Sequence, residues 1–182
     1  QTTTSYLQEN DPSTTHLANF LRALTNTSNA KMYNLLDISL TEQGESYYLP
    51  FIPRVLSLLQ EKKLGVEKEG RLIIEPAALF GEVPSAKYPV LTLQKSSGSY
   101  TYDTTDLAAL WYRTQILKMD KIYYLVDVSQ SSHFELIFAV GKRMGWLTEK
   151  GPSACHVPFG MVLGPDGKKM KSRGGESTRL WD

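Results

Sequence analysis

A chain of 182 residues with 41% hydrophobic side chains can bury the core of one domain of ordinary size. Its 20 basic and 19 acidic residues give a net charge of +1, which excludes a global attraction to nucleic acids or membranes, so any polyanion site must be local. Cys155 is the single cysteine, which excludes an internal disulfide and fits a reducing compartment, and the sequence has no apolar run long enough to span a bilayer.

The N-terminal region predicts one helix followed by a strand. Asp11 and Pro12 are typical of a helix N-cap with proline at the first helical position. Apolar side chains then recur at helical spacing, and we expect the helix to end within residues 25–29. The apolar residues between positions 31 and 40 predict a strand.

A second helix is expected to open at residues 44–46 and to end near Gly65. Pro50 and Pro53 fall in its first turns, where they favour a kink or a late start. Further along the chain, strands and helices alternate. Their predicted positions are strands at 71–75, 90–94 and 121–128, a turn at 96–99, a helix through 107–116, a helix from Ser132 and an extended segment at 154–163.

The segment 121–128 is the strongest strand, and its nearly continuous apolar run favours burial of both faces. The following Ser132 and Glu135 have the spacing of a capping box. A covered strand, a short polar turn and a helix form the unit that builds parallel sheets, so the chain is predicted to be an α/β protein. Ligands collect at the carboxyl ends of such strands, which places the expected site at 127–133 and 156–173.

Four cations lie in the glycine-flanked run 164–175, which contains no carboxylate after its opening Gly-Pro-Asp-Gly turn. Such a loop suits a polyphosphate whose negative charge grows during a reaction, although an isolated basic run is more often a solvated surface loop. The sequence lacks both the Gly-x-Gly-x-x-Gly and the Gly-x-x-x-x-Gly-Lys-Ser/Thr patterns, which argues against a dinucleotide oxidoreductase and a P-loop protein. The four cations are Lys168, Lys169, Lys171 and Arg173.

Five segments, in register along the chain, together resemble the arginyl-tRNA synthetases, a family of class I synthetases. They are LDISL at 36–40 with GES at 44–46, YTYDTTDLAA at 100–109, VDVSQSSHF at 126–134, HVPFGMVLG at 156–164 and MKSRG at 170–174. The resemblance implies the second half of a class I Rossmann-type nucleotide-binding domain with a mostly parallel sheet. The resemblance covers residues 31–182 and assigns them to the C-terminal half of this catalytic domain, with the signature loop at 164–175, and residues 1–30 are expected to form an N-terminal helical segment before it.

The resemblance also implies an arginine site. A guanidinium is planar, always charged and rich in donors, so its receptor should hold carboxylates and a neutral acceptor. Tyr102 and Asp106 match the guanidinium-binding pair of the family, Glu45 matches a further acid, and Gln130 matches a residue near the α-amino group. Taken alone, Asp106 is a typical helix N-cap, Glu45 a first-turn acid and Gln130 a loop amide. These four residues are called the arginine set below.

For ATP, the resemblance implies adenosine contacts and a cationic loop. Lys171 and Arg173 would act catalytically by holding the leaving diphosphate, with Arg173 at the position of the second lysine of the class I signature. A shifted register would make Lys169 and Met170 the first two signature residues. His133 would orient its loop or close the adenosine side, and His156 alone could equally be a core histidine. The full ATP set is His133, His156, Phe159, Gly160, Met161, Val162, Lys169, Met170, Lys171, Ser172 and Arg173.

The implied activity is the ligation of arginine to tRNA(Arg), with ATP as a substrate that brings Mg²⁺ and with no bound cofactor or resident metal. A cytoplasmic monomer is expected. The His-Ile-Gly-His signature of the family is absent, since His16 has different neighbours, so we expect an incomplete catalytic domain that is inactive by itself. One alternative is a non-catalytic module that binds arginine, nucleotide or RNA. Another is a generic nucleotide-binding α/β protein, which would give the arginine set no common role.

Overall fold

The computed structural model describes residues 3–8, 11–81, 88–160, 163 and 167. The helices are α1 (Thr3–Gln8), α2 (Pro12–Leu35), α3 (Ile52–Glu61), α4 (Pro76–Phe80), α5 (Tyr102–Trp111) and α6 (Ser131–Arg143). The strands are β1 (Val66–Lys68), β2 (Arg71–Ile74), β3 (Leu91–Gln94), β4 (Lys121–Asp127) and β5 (Ser153–Phe159). Helices and strands alternate only from β2 onward, after a run of three α-helices and the β1–β2 hairpin, and the chain has both element types, as expected for an α/β protein.

Helix α2 begins as its sequence predicts and ends later than expected. The side chain of Asp11 accepts a hydrogen bond from the backbone N–H of Thr14 at 2.8 Å, and proline opens the helix. The predicted strand at 31–40 is wrong, because the helix continues to Leu35 and ends before Asp37, whose φ of 52° is left-handed. The helix therefore runs through residue 30, and the predicted domain division there stays a prediction.

The two prolines after Gly44 delay the next helix, as predicted. Residues Glu45–Phe51 form a 3₁₀ helix that contains Pro50, and α3 begins only at Ile52 with Pro53 in its first turn. Three apolar side chains of α3 are fully buried and anchor the segment that carries Glu45 to the core. These are Ile52, Val55 and Leu59.

Strands β1, β2 and β3 form an antiparallel sheet in the order β1-β2-β3. β1 was not predicted, although the two residues between β1 and β2, Glu69 and Gly70, have φ of 52° and 70°, which suits a tight hairpin turn. Helix α4 was not predicted either. A mostly parallel sheet was expected. In the described part of the chain, parallel pairing is limited to strands β4 and β5.

Strands β4 and β5 pair in parallel along their whole length, from Lys121 opposite Ser153 to Asp127 opposite Phe159. One face of β4 is buried, whereas Tyr123 and Leu125 on the other face are 60% and 70% exposed. The prediction that β4 is covered on both faces is therefore wrong for the residues that the structure describes. The parallel pair places the carboxyl ends of β4 and β5 at one edge.

Helix α5 lies at the centre of the core and packs against β3, α3 and α6. Leu107 and Leu110 are fully buried, and the α-carbon of Gly141 in α6 approaches so closely that an added Cβ would lie 2.8 Å from Leu110 Cδ2. Helix α6 begins at Ser131 with Gln130 as its N-cap, so the capping box predicted from Ser132 is wrong. None of the described helices combines the length and apolarity that crossing a membrane requires.

Candidate functional site

One cavity of about 720 Å³ receives all four members of the arginine set. Glu45 reaches it from the 3₁₀ helix, Tyr102 and Asp106 from the start of α5, and Gln130 from the N-cap of α6. Its volume falls in the range typical of small-molecule sites. The complete lining is Glu45, Pro89, Val90, Leu91, Tyr102, Asp103, Asp106, Val126, Ser129, Gln130, Ser132, His133 and Phe134.

The N-terminal half of α5 presents the polar side chains of Tyr102, Asp103 and Asp106 to this cavity. Tyr102 and Asp106 lie four residues apart and therefore on one side of the helix. The Tyr102 ring is 65% exposed, and the negative charge of Asp103, burial and the charge of Asp106 all raise the pKa of its hydroxyl. At neutral pH this hydroxyl is thus protonated and can both donate and accept a hydrogen bond.

Asp103 is a buried carboxylate that the sequence interpretation did not assign to the site. It is 6% exposed, and its Oδ2 accepts a hydrogen bond from the backbone N–H of Thr92 in β3 at 3.0 Å. Its Oδ1 lies 3.3 Å from Nδ1 of His133. The sequence placed Asp103 before the predicted helix, and neither partner of its carboxylate is a neighbour in sequence, so no local signal assigned Asp103 to the site.

His133 extends from α6 between two carboxylates of α5. Its Nε2 lies 2.7 Å from Oδ2 of Asp106, opposite the contact with Asp103. Burial lowers the pKa of the imidazole, but hydrogen bonds and charge attraction from Asp103 and Asp106 outweigh this effect and raise the pKa from 6.5 to about 9. The side chain is thus an imidazolium at neutral pH. It lines the same cavity as the arginine set.

The loop between β4 and α6 is ordered by its own polar groups. Asp127 Oδ1 accepts a hydrogen bond from the backbone N–H of Ser129 at 2.7 Å, and the Ser131 hydroxyl donates to the carbonyl of Val128 at 2.7 Å. These bonds stabilise the 3₁₀ turn Val128–Gln130 and place Gln130 at the N-cap of α6.

His133, which was assigned to the ATP set, lies on α6 and lines the cavity of the arginine set, and the other described members of the ATP set lie along β5 and at its carboxyl end. His156 Nε2 donates to the carbonyl of Val126 at 3.0 Å, and the ring stacks on Phe134 with centroids 5.1 Å apart. Phe159 is 52% exposed and Gly160 has open space around it. The other predicted ATP residues lie outside the described residues: Met161, Val162, Lys169, Met170, Lys171, Ser172 and Arg173.

The cavity is lined by several carboxylates and by one cation, the imidazolium of His133. Glu45, Asp103 and Asp106 supply three carboxylates, and His133 supplies one imidazolium. The balance favours a cationic ligand, and a phenol hydroxyl and an amide add neutral hydrogen-bonding groups beside it.

Comparison with known proteins gives concordant matches over nearly the whole chain. Residues 2–182 match the family model for the catalytic domain of class I tRNA synthetases of the arginine type. The chain is 44% identical to the arginine–tRNA ligase of Cyanothece sp. over 177 residues, which is 97% of this chain and 30% of that protein. It is 39% identical to the cytoplasmic arginine–tRNA ligase of Gallus gallus over 176 residues, again 97% of this chain and 25% of the relative.

A solved structure agrees with these relatives. The arginyl-tRNA synthetase of Plasmodium falciparum superposes with a TM-score of 0.76 at 36% identity, and the match covers 90% of this chain and 28% of that one. The chain thus spans about 30% or less of the length of each of these three proteins.

Proposed function

The chain belongs to the catalytic-domain family of arginine-specific class I tRNA synthetases, and on this premise we propose that it carries the arginine pocket and part of the ATP site of an arginine–tRNA ligase. The full-length enzyme condenses L-arginine with ATP to arginyl adenylate and diphosphate, and then transfers the arginyl group to tRNA(Arg). We further propose that it is a cytoplasmic monomer with a Rossmann-type catalytic domain.

The observation that carries this proposal is the meeting of the arginine set in one cavity. Residues as distant in sequence as Glu45 and Gln130 line it together, around carboxylates that suit a guanidinium. In the proposal, Asp106 and Glu45 accept hydrogen bonds from the guanidinium and Tyr102 supplies the neutral acceptor. Gln130 then lies toward the α-amino end of the substrate.

Activation of arginine requires no protein base, because the carboxylate of the substrate is already a nucleophile. Its oxygen attacks the α-phosphorus of ATP, a carboxyl–phosphate bond forms, and the bond to the β-phosphate breaks to release diphosphate. Catalysis of such in-line transfer comes chiefly from positioning and from stabilising the departing charge. We assign that stabilisation to Lys171 and Arg173, and Mg²⁺ enters with ATP.

The adenosine part is assigned to the carboxyl end of β5, where parallel α/β sheets hold their ligands. The exposed ring of Phe159 and the open backbone of Gly160 supply a surface there for a planar base. His156 precedes this surface on β5 and is held in place by its bond to the carbonyl of Val126 and its contact with Phe134.

The experiment is ATP–diphosphate exchange by the full-length enzyme, supplied in turn with arginine, lysine and citrulline. Exchange should depend on arginine, and citrulline should support it at least about tenfold less well, because its neutral urea cannot form charge-assisted bonds to the acids. Binding of arginine without exchange would favour the non-catalytic module instead. Equal exchange with all three amino acids would remove the proposed specificity.

A further inference from the structure

His133 bridges two carboxylates, and these two contacts determine the protonation state of its imidazole. Nδ1 lies 3.3 Å from Asp103 Oδ1 and Nε2 lies 2.7 Å from Asp106 Oδ2. An ionised carboxylate can only accept hydrogen bonds, so both ring nitrogens have to donate, which only the doubly protonated imidazolium can do. His133 therefore has no lone pair available in this arrangement and is unsuited to act as a general base.

The bridge is anchored at its inner end. Asp103 is buried, and its second oxygen accepts the backbone N–H of Thr92 in β3. Both oxygens of Asp103 are thus engaged, one by the sheet and one by His133. Since Asp103 and Asp106 lie three residues apart on α5, a rigid ring from α6 can reach both of them.

The outer end of the bridge leaves one oxygen free. The Asp106 side chain is 36% exposed at the cavity, and its Oδ2 is bonded to His133. Within the described part of the chain, Oδ1 of Asp106 has no partner. The histidine contact restricts the rotation of the carboxylate, and thereby fixes the direction in which Oδ1 points.

We propose that His133 is a positioning residue for arginine: its imidazolium ties Asp106 to the buried Asp103, so that Asp106 presents a single oriented oxygen to the guanidinium. The proposal rests on the proposed function, because it concerns the same pocket. It adds that the recognition of arginine, itself a cation, depends on a second cation that the protein supplies inside the site, the imidazolium of His133.

The charges in the cavity explain why such a cation is needed. Without the imidazolium, Asp103 and Asp106 would be two neighbouring carboxylates that repel one another, one of them deeply buried. The raised pKa of about 9 for His133 agrees with a stable cation at neutral pH. The remaining ionisable groups that line the described cavity are Tyr102 on α5 and Glu45 across it, while His156 of β5 lies behind Phe134.

Competition between imidazolium and guanidinium is the opposite possibility, and the geometry disfavours it. The two cations would compete only if both required the same oxygen of Asp106. The structure commits Oδ2 to His133 and leaves Oδ1 for a ligand, so both can be accommodated. The two possibilities predict opposite changes in affinity when His133 is replaced.

The test uses the full-length enzyme and the variants His133→Asn, Asp103→Asn and the double variant, with His16→Asn as a matched control on an exposed face of α2. The dissociation constant of arginine should rise at least about tenfold in His133→Asn, as expected when a charge-assisted bond is lost. The KM for ATP should change less than about twofold. A role confined to folding would instead alter both substrates and the maximal rate together.

Asp103→Asn keeps the acceptor for Thr92 and provides a second route if His133→Asn folds poorly. It should also weaken arginine binding, and the double variant should be weaker than wild type by less than the product of the two single effects, because both changes break one bridge. Unchanged or tighter arginine binding in either well-folded single variant overturns the proposal, and tighter binding identifies competition. Wild-type enzyme that binds no arginine refutes the proposed arginine pocket, and this inference with it, whereas arginine binding without exchange refutes only the ligase activity.

Discussion

The backbone N–H of Thr92 donates to Oδ2 of Asp103 at 3.0 Å, which joins strand β3 to the first turn of α5. The carboxylate of Asp103 is buried, and it satisfies this backbone donor in a partly buried contact. This contact aligns the turn from which Tyr102 and Asp106 extend into the cavity.

Asp103→Ala should consequently destabilise the fold. It leaves the Thr92 N–H and His133 without their acceptor, at an expected cost of about 1–3 kcal/mol in the free energy of unfolding. Asp103→Asn keeps an oxygen for Thr92 and should cost less. Thermal unfolding of the two variants checks this order, and an equal loss in both would show that the bond to Thr92 contributes nothing.

Asp106→Asn should raise the KM for arginine far more than the KM for ATP. The change replaces a charge-assisted contact by a neutral one, with an expected loss of roughly 1.5–3 kcal/mol in arginine binding. ATP–diphosphate exchange at varied arginine and varied ATP measures both constants. If both rise equally, Asp106 does not determine specificity.

His133 should make stability depend on pH in a defined direction. Because its folded-state pKa of about 9 lies above the ordinary value of 6.5, the bridge contributes fully below about pH 6.5, and its contribution is lost as the pH rises through about 9. The difference in melting temperature between wild type and His133→Asn should therefore shrink from pH 6.5 to pH 9.5. A difference that stays constant over this interval would contradict the assignment of an imidazolium.

Lys171→Ala and Arg173→Ala should slow adenylate formation and leave arginine affinity nearly unchanged. In the proposed mechanism their charges face the diphosphate, whose negative charge increases as the bond to the α-phosphate breaks. The loss of one such cation should cost on the order of 2–4 kcal/mol of barrier, or about 10²–10³ in rate. Single-turnover adenylate formation at saturating substrates measures this rate. Wild-type rates in both variants would show that the basic segment 164–175 is a solvated surface loop.

Local chemistry made part of the fold predictable from sequence. The N-cap at Asp11 and the delay caused by Pro50 and Pro53 depend only on neighbours in the chain, and both are found in the structure. The strand predicted at 31–40 failed because its apolar spacing also fits a continued helix, and Met32 and Leu35 extend α2 instead.

Tertiary relationships could not be predicted in the same way. The resemblance nominated Tyr102 and Asp106, but the partner that holds Asp106 comes from another helix, and the buried role of Asp103 requires an amide of β3. The exposed face of β4 shows the same limitation, since an apolar sequence indicates a preference for burial and does not specify what covers the strand. Contacts between distant segments therefore had to come from the structure.

The central claim is that the cavity between α5 and α6 is the arginine pocket, and a structure of the full-length enzyme with bound L-arginine tests it most directly. The account predicts a guanidinium nitrogen within about 3 Å of Asp106 Oδ1, with Oδ2 still bonded to His133. The Tyr102 hydroxyl and the Glu45 carboxylate should lie beside the same guanidinium. Arginine bound elsewhere, or bound here with its guanidinium directed away from Asp106, would contradict the account.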